Sequence, residues 1–330
     1  MKRNLLRPAA ALSLLWMCAL QAAADADITR YVMINAGFDR NYNHTAAESG
    51  NVAQELNEVP CWTSELSADY TVSGVYEFGY KGTFNGATVP AAGYNGETGG
   101  ALALSTGWSQ TFCYSQTVTL QQGTYTISVP TYNGKTQTAG SSMLAFIPTL
   151  GDPVYSTLTS YPGKQWTVDR ITFTVPAART GKLRIGYTAA GASSASAAPV
   201  MDYVKVEASA IKPPHRTILN RYRSLYKEGN PGAEELKMRY DAYIAAHDNS
   251  EATVEEIATT YYELMLAFDD YAVKNASDEK PIDRTDRIVN PSFEVDGTAG
   301  WKVAGMNLQG NSAFLRKKGS YYMESWVPIG

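Results

Sequence analysis

Residues 117–129 alternate strictly between apolar and polar. Val118 and Leu120 are separated by threonines, a Gln121-Gln122-Gly123-Thr124 turn follows, and Tyr125, Ile127 and Val129 alternate with Thr126 and Ser128. A period of two puts the apolar side chains on one face of a strand and the hydroxyls on the other. The stretch therefore predicts a β-hairpin with one buried and one wet face. An antiparallel sheet of this kind hides its apolar face against a second sheet. Similar short runs recur at 31–34, 76–80, 101–104, 143–147, 171–175, 183–187 and 204–206. Eight to ten short strands with turns between them predict a jelly-roll β-sandwich over residues 27–208. Within it, the glycine-rich segment 82–100 is too long for a hairpin loop and predicts a functional surface loop.

Past Ala208 the apolar spacing changes from two to three and four. Ile218, Leu219, Tyr222 and Leu225 form one stripe, Leu236, Tyr240, Tyr243 and Ile244 a second, and Val254, Ile257, Tyr261, Leu264, Phe268 and Tyr271 a third. Thr253 and Glu256 stand in capping-box spacing before the last. The breaks Gly229-Asn230-Pro231-Gly232 and His247-Asp248-Asn249-Ser250 are short, which predicts antiparallel neighbours. Residues 209–280 thus read as a three-helix spacer whose tyrosines pack its own core. The chain as a whole is mainly β: a jelly-roll β-sandwich, a small α-helical bundle and the start of a second β-sandwich.

Composition narrows the setting. Tyrosine (22) and glycine (27) are abundant and only 18% of the 330 residues are charged, as in turn-rich secreted β proteins. A net charge of −4 without a basic stripe argues against nucleic acid as a partner. Lys2, Arg3 and Arg7 precede an apolar run over 9–20, and Ala22-Ala23-Ala24 or Ala24-Asp25-Ala26 offers small residues for cleavage. Residues 1–26 therefore read as a signal peptide that sends the protein to the periplasm, cell surface or medium. The run is too short to be a transmembrane segment. After export, Cys61 and Cys113 either pair in the oxidising compartment or remain two buried thiols.

Near its end the chain repeats itself. Val289-Asn290-Pro291-Ser292-Phe293-Glu294 with Trp301 echoes Ile34-Asn35-Ala36-Gly37-Phe38-Asp39 with Trp62. This start, a Leu120-x-x-Gly123-Thr124-Tyr125 turn and the closing Met201-Asp202-Tyr203-Val204-Lys205-Val206 resemble galactose-binding-like jelly rolls used as carbohydrate-binding modules. The layout also resembles exported polysaccharide-utilisation proteins of Bacteroidetes-type bacteria. The resemblance implies a second, truncated module at 281–330, with further domains of the same polypeptide beyond it. It implies a polysaccharide or glycan as partner, and Trp62 and Trp166 in the core. It further implies a structural calcium ion (Ca2+) on Asp39 and Asp202, with Glu294 as the matching acid of the second copy; oxygen ligands of this kind suit calcium.

Catalytic signatures are absent from the sequence. The three histidines, His44, His215 and His247, fall one each in a polar loop, a linker and a helix end, and there is no His-Glu-x-x-His, Cys-x-x-Cys or Gly-x-Ser-x-Gly. Sugar binding instead needs aromatic faces for pyranose rings and amides or hydroxyls for their edges. The candidates are Trp108 after a Gly-containing turn, Tyr94 and Asn95 in the glycine-rich loop, and Tyr132 and Asn133 after residues 117–129. Tyr76, Phe78 and Tyr80 are expected on a buried sheet face. The expected function is non-catalytic glycan binding that targets an attached domain. The alternatives are a cell-surface adhesin and the accessory N-terminal part of a glycoside hydrolase or lyase.

Overall fold

A computed structural model describes residues 25–39, 41–66, 72–106, 110–189, 197–277, 281, 307–309 and 322–324. Two sheets dominate. The larger runs in the order β1 (Ala26–Asp27), β16 (Lys205–Lys212), β9 (Gln122–Asn133), β15 (Pro199–Met201), β7 (Gly100–Ser105), β5 (Val72–Glu77), β3 (Glu55–Leu56), and β13 (Trp166–Val175) also pairs with β9. The smaller runs β12 (Val154–Tyr155), β11 (Ala145–Pro148), β14 (Arg179–Thr188), β8 (Thr111–Leu120), β4 (Thr63–Leu66), with β10 (Ser141–Ser142) on β14. A short parallel pair, β2 (Asn51–Val52) and β6 (Thr83–Phe84), stands apart. The sandwich begins at Ala26 and its last strand continues to Lys212, four residues past Ala208.

The expected hairpin at 117–129 is not one. β8 pairs with β14 and β4, and β9 with β13, β16 and β15, so Gln121 carries the chain from one sheet to the other. Alternation on both arms is satisfied equally well when the arms face each other across the core, because it says which side is apolar and not which strand is the partner. Val118 and Leu120 meet the core from one sheet, Tyr125, Ile127 and Val129 from the other. Ile127 is flanked in register by Ile171 and Val206, all three buried. Each such side chain contributes about 1.5–3 kcal/mol of burial. On the outside, Thr124 pairs with Thr174, Thr126 with Thr172 and Thr119 with Thr180 through hydroxyls 2.9–3.1 Å apart.

Three helices follow as their periodicity predicts: α2 (His215–Leu225), α3 (Ala233–Asp248) and α4 (Val254–Lys274), after a single turn α1 (Thr29–Val32) near the N-terminus. The capping box forms. Glu256 N donates to Thr253 Oγ1 at 3.1 Å, and Thr253 N donates to Glu256 Oε2 at 2.8 Å. The bundle is not a free spacer, however. α4 packs against β1 and β16, Tyr31 of α1 stacks on Tyr262 at 5.0 Å, and one apolar cluster runs from the sandwich into the helices. The reason lies in the width of the α4 stripe: Tyr261 and Tyr262 are adjacent and both buried, so one faces the bundle's own core while the other reaches the sandwich.

No helix among the described residues is long and apolar enough to cross a membrane. In the segment expected to start a second module, the described residues form one antiparallel pair, Asn307–Gln309 with Tyr322–Glu324. The rest of that segment, including Glu294 and Trp301, and the expected signal segment up to residue 24 lie outside the described residues.

Candidate functional site

The large sheet is apolar on part of its outer face as well as its inner one. Tyr76, Ala101, Ala103 and Val200 point outward and are covered by Phe78 and Tyr80, just after β5, and by Phe84 and Val89 of the glycine-rich loop. Tyr76, Phe78 and Tyr80 are therefore buried, as expected. At the margin of this cover the outer face carries Tyr132 on β9 and, directly opposite in register, Trp166 on β13. Both are partly exposed. The Trp166 ring lies 5.5 Å from Tyr132, 5.9 Å from Tyr94 and 6.4 Å from Phe78, at interplanar angles of 57°, 67° and 66°. Three aromatic rings thus meet around one tryptophan.

Tyr94 is placed by two carboxylates. It opens the 3-10 turn Tyr94–Gly96, and its backbone N donates to Asp202 Oδ2 at 2.7 Å. Four residues past the turn, where β7 begins, Gly100 N donates to Asp39 Oδ1 at 3.2 Å. The approach is so close that a Cβ at Gly93 would come within 2.8 Å of Asp202 Oδ2, and one at Gly99 would overlap Asp39; Gly99 also has φ +123°, open only to glycine. Asn95 sits exposed at the tip with φ 60°, a left-handed conformation that asparagine tolerates. Burial, aided by Glu97 and Asp39, pushes the Asp202 carboxyl up to about 6 against the opposing bond from Tyr94. Burial likewise raises the phenol of Tyr132, and burial with Glu97 and Asp202 raises that of Tyr203.

The structure thus brings together Tyr94, Asn95, Tyr132, Asp39 and Asp202 of the residues expected from the sequence. Asn133 is a correction. It shares the parity of Ile127 and Val129, points inward and is fully buried. Its Nδ2 donates to Gln137 O at 2.9 Å and Tyr161 O at 3.0 Å, while Oδ1 accepts from Lys135 N at 3.1 Å and Ala198 N at 3.2 Å. Both donors and both acceptor sites of the amide are used by the protein. Trp108 lies outside the described residues. Trp166, expected in the core, instead stands at the margin of the outer cover, partly exposed and at the centre of the aromatic cluster. The signal was its position at the head of β13, after the exposed Lys164 and Gln165. Trp62 is in the core as expected, its Nε1 donating to Asn35 O at 3.1 Å beside Phe38.

Cys61 is exposed and Cys113 buried, and both are free thiols; burial pushes the Cys113 thiol up to about 12. Among the described residues no three His, Cys, Asp or Glu side chains are grouped to hold a metal by themselves.

No family model matches the sequence, and no curated protein matches it. Solved structures match part of the chain at low identity. A family 61 carbohydrate-binding module in complex with beta-1,4-galactotriose is 13% identical, with a TM-score of 0.32, over 53% of this chain and 95% of that one. The tandem CBM22 domains of Xyn10C from Paenibacillus barcinonensis are 13% identical, with a TM-score of 0.35, over 58% of this chain and 48% of that one. A Stig cyclase from Fischerella sp. TAU is 14% identical, with a TM-score of 0.37, over 57% of this chain and all of that one. The neighbours include carbohydrate-binding modules and a cyclase, and only the residues of this chain decide between such roles.

Proposed function

We propose that this chain binds a glycan without turning it over, as part of an exported modular protein. The observation that carries the proposal is the cluster of partly exposed Tyr94, Tyr132 and Trp166 rings at the margin of the large sheet. An indole face takes up the apolar face of a pyranose, and the flanking phenols, Asn95 and Glu97 offer hydrogen bonds to its hydroxyls. The rings are fixed by register and by the pinned loop, so little ordering cost is left for binding. Holding the polysaccharide keeps an attached domain close to it and raises its effective concentration. Export fits the N-terminal sequence, and the burial of Ala26 within β1 supports cleavage after Ala24, which leaves that strand whole.

Asp39 and Asp202 are proposed to hold a structural calcium ion beside the Tyr94 turn. The chemistry fits a hard cation: Asp202 is buried, Asp39 and Glu97 act on it with like charge, and one backbone N–H is its hydrogen-bond partner. With two carboxylates, the remaining oxygens would come from backbone carbonyls and water.

A glycan array with the intact chain, followed by titration calorimetry on the best ligand, tests the main proposal. Trp166→Ala is expected to weaken binding by roughly 1–3 kcal/mol, as for a central aromatic anchor. An array without any glycan signal, or a Trp166→Ala variant that binds as the parent does, overturns it.

A further inference from the structure

Beside the aromatic cluster stand two lysines whose placement a neutral sugar does not explain. Lys164 lies two residues before Trp166, and Lys135 three after Tyr132. Lys164 has φ 54°, a left-handed conformation that costs a non-glycine residue about 1 kcal/mol or more. It is held there because its backbone N donates to both Asn133 O and Lys135 O at 2.9 Å, next to the bridge between Asn133 and Gly163. From that position its Nζ donates to Thr88 Oγ1 and, at 2.6 Å, to Gly134 O. Lys135 Nζ donates to Asn85 O. All these acceptors are neutral. An ammonium group has three donors, so among the described residues one N–H is left over on Lys164 and two on Lys135.

Burial lowers the affinity of both lysines for their protons, and for Lys135 the neighbouring Lys164 adds to it; among the described residues no acid acts on either in the other direction. Bracing two loops would need only hydrogen-bond donors. Two like charges held close together, without a counter-charge among the described residues, are instead poised for an anion, to which each would make a charge-assisted hydrogen bond. Tyr132 and Trp166 extend the adjoining cluster of Ala87 and Val89, which flank the Lys164 partner Thr88 in the chain.

We propose that the glycan taken by this platform is anionic, with an oxyanion carried on the edge of a sugar ring, a uronate carboxylate or a sulfate ester, held at Lys135 and Lys164. This rests on the glycan-binding reading of the same site. Stacking on Trp166 supplies the face of the ring, and the lysines read its charged edge.

The test compares the intact chain's affinity for polygalacturonate and alginate, for polygalacturonate fully methyl-esterified, and for dextran sulfate against dextran. Charged polymers are expected to bind about tenfold or more tightly than their neutral counterparts. The carboxylate and sulfate arms show which oxyanion is preferred. Lys164→Asn keeps a residue that tolerates the left-handed backbone, and Lys135→Gln leaves that backbone untouched; each is expected to lower the charge preference about tenfold and leave neutral binding as it was. Lys164→Arg is expected to retain the preference. Trp166→Ala should weaken charged and neutral polymers together. If charged and neutral polymers bind alike, or if folded lysine variants keep the preference, the anionic assignment is wrong and the platform stands. If the folded parent binds no glycan in either this panel or a wider array, the platform itself is refuted.

Discussion

Asn133 separates the structural and ligand-binding readings of the β9 terminus more sharply than any other position. Its amide ties the end of β9 to four places: the backbones of Lys135, Gln137, Tyr161 and Ala198. Asn133→Ala removes four hydrogen bonds at once. At about 1 kcal/mol net for each the loss is about 4 kcal/mol, and the buried groups left at Tyr161 and Ala198 push it upward. For a unit of this size 1 kcal/mol corresponds to roughly 2–4 °C, so the melting temperature is expected to fall by about 8–16 °C. Asn133→Asp is the companion variant. It keeps the shape and the two acceptor bonds but turns an oxygen toward the carbonyls of Gln137 and Tyr161, so a similar loss shows that the hydrogen bonds, not the cavity, matter. Urea denaturation and thermal melts read both. A variant that melts within about 2 °C of the parent while losing glycan affinity would refute the bracing role and return Asn133 to the ligand site.

Two other expectations follow from the same geometry. The Asp202 carboxyl is raised to about 6 in the fold, against an unfolded value near 3.8, so the native state binds more protons between these values. Stability from this group is therefore lost as pH rises through about 6 and regained toward pH 4, by on the order of 3 kcal/mol. Asp202→Asn should flatten that slope, and bound calcium should oppose it by holding the carboxylate ionised. In fluorimetric melts calcium is then expected to raise the melting temperature at pH 7.5 and far less at pH 5; an equal calcium shift in Asp202→Asn would count against the site. Ending the chain at Lys212 strips the cover from Ala208, Ile211 and Tyr31, and the truncated sandwich should melt well below the parent yet bind glycan unchanged. An unaltered melt would mean that the helices contribute nothing to the sandwich.

Local periodicity showed which residues are apolar together, and that was enough for the class of fold. It gave three helices with their capping box, because i, i+3 and i, i+4 contacts and the Thr253–Glu256 pair are local. It could not give the partner of β8, since Val118 and Leu120 alternate in the same way whether the next strand lies beside them or across the core. The docking of α4 was invisible for a related reason: a second tyrosine beside Tyr261 only matters once Tyr31, over two hundred residues earlier, is brought against it. At the site, Tyr94 and Tyr132 were recognisable as aromatics in polar surroundings. Trp166 was not, since its exposure depends on where the cover formed by Phe78–Val89 stops. Parity, applied to Asn133, would have put it on the core face with Ile127 and Val129.

The position of the platform follows from how the outer face is divided. Along β7 and β15 the outward residues are Ala101, Ala103 and Val200, small enough for a segment rich in aromatics to lie flat on the sheet. Along β9 and β13 they are threonines, paired across the strands and content with water. A loop that covers the first region has no apolar reason to continue over the second, so the rings at the boundary, Tyr132 and Trp166, keep one side wet. Asp39 and Asp202 then decide where the loop ends, by taking the N–H groups of Gly100 and Tyr94. The bond from Tyr94 favours the ionised form of Asp202, and burial opposes it. The carboxylate that is costly to bury is therefore the one that positions the third ring, and stability and ring placement draw on the same proton in opposite directions.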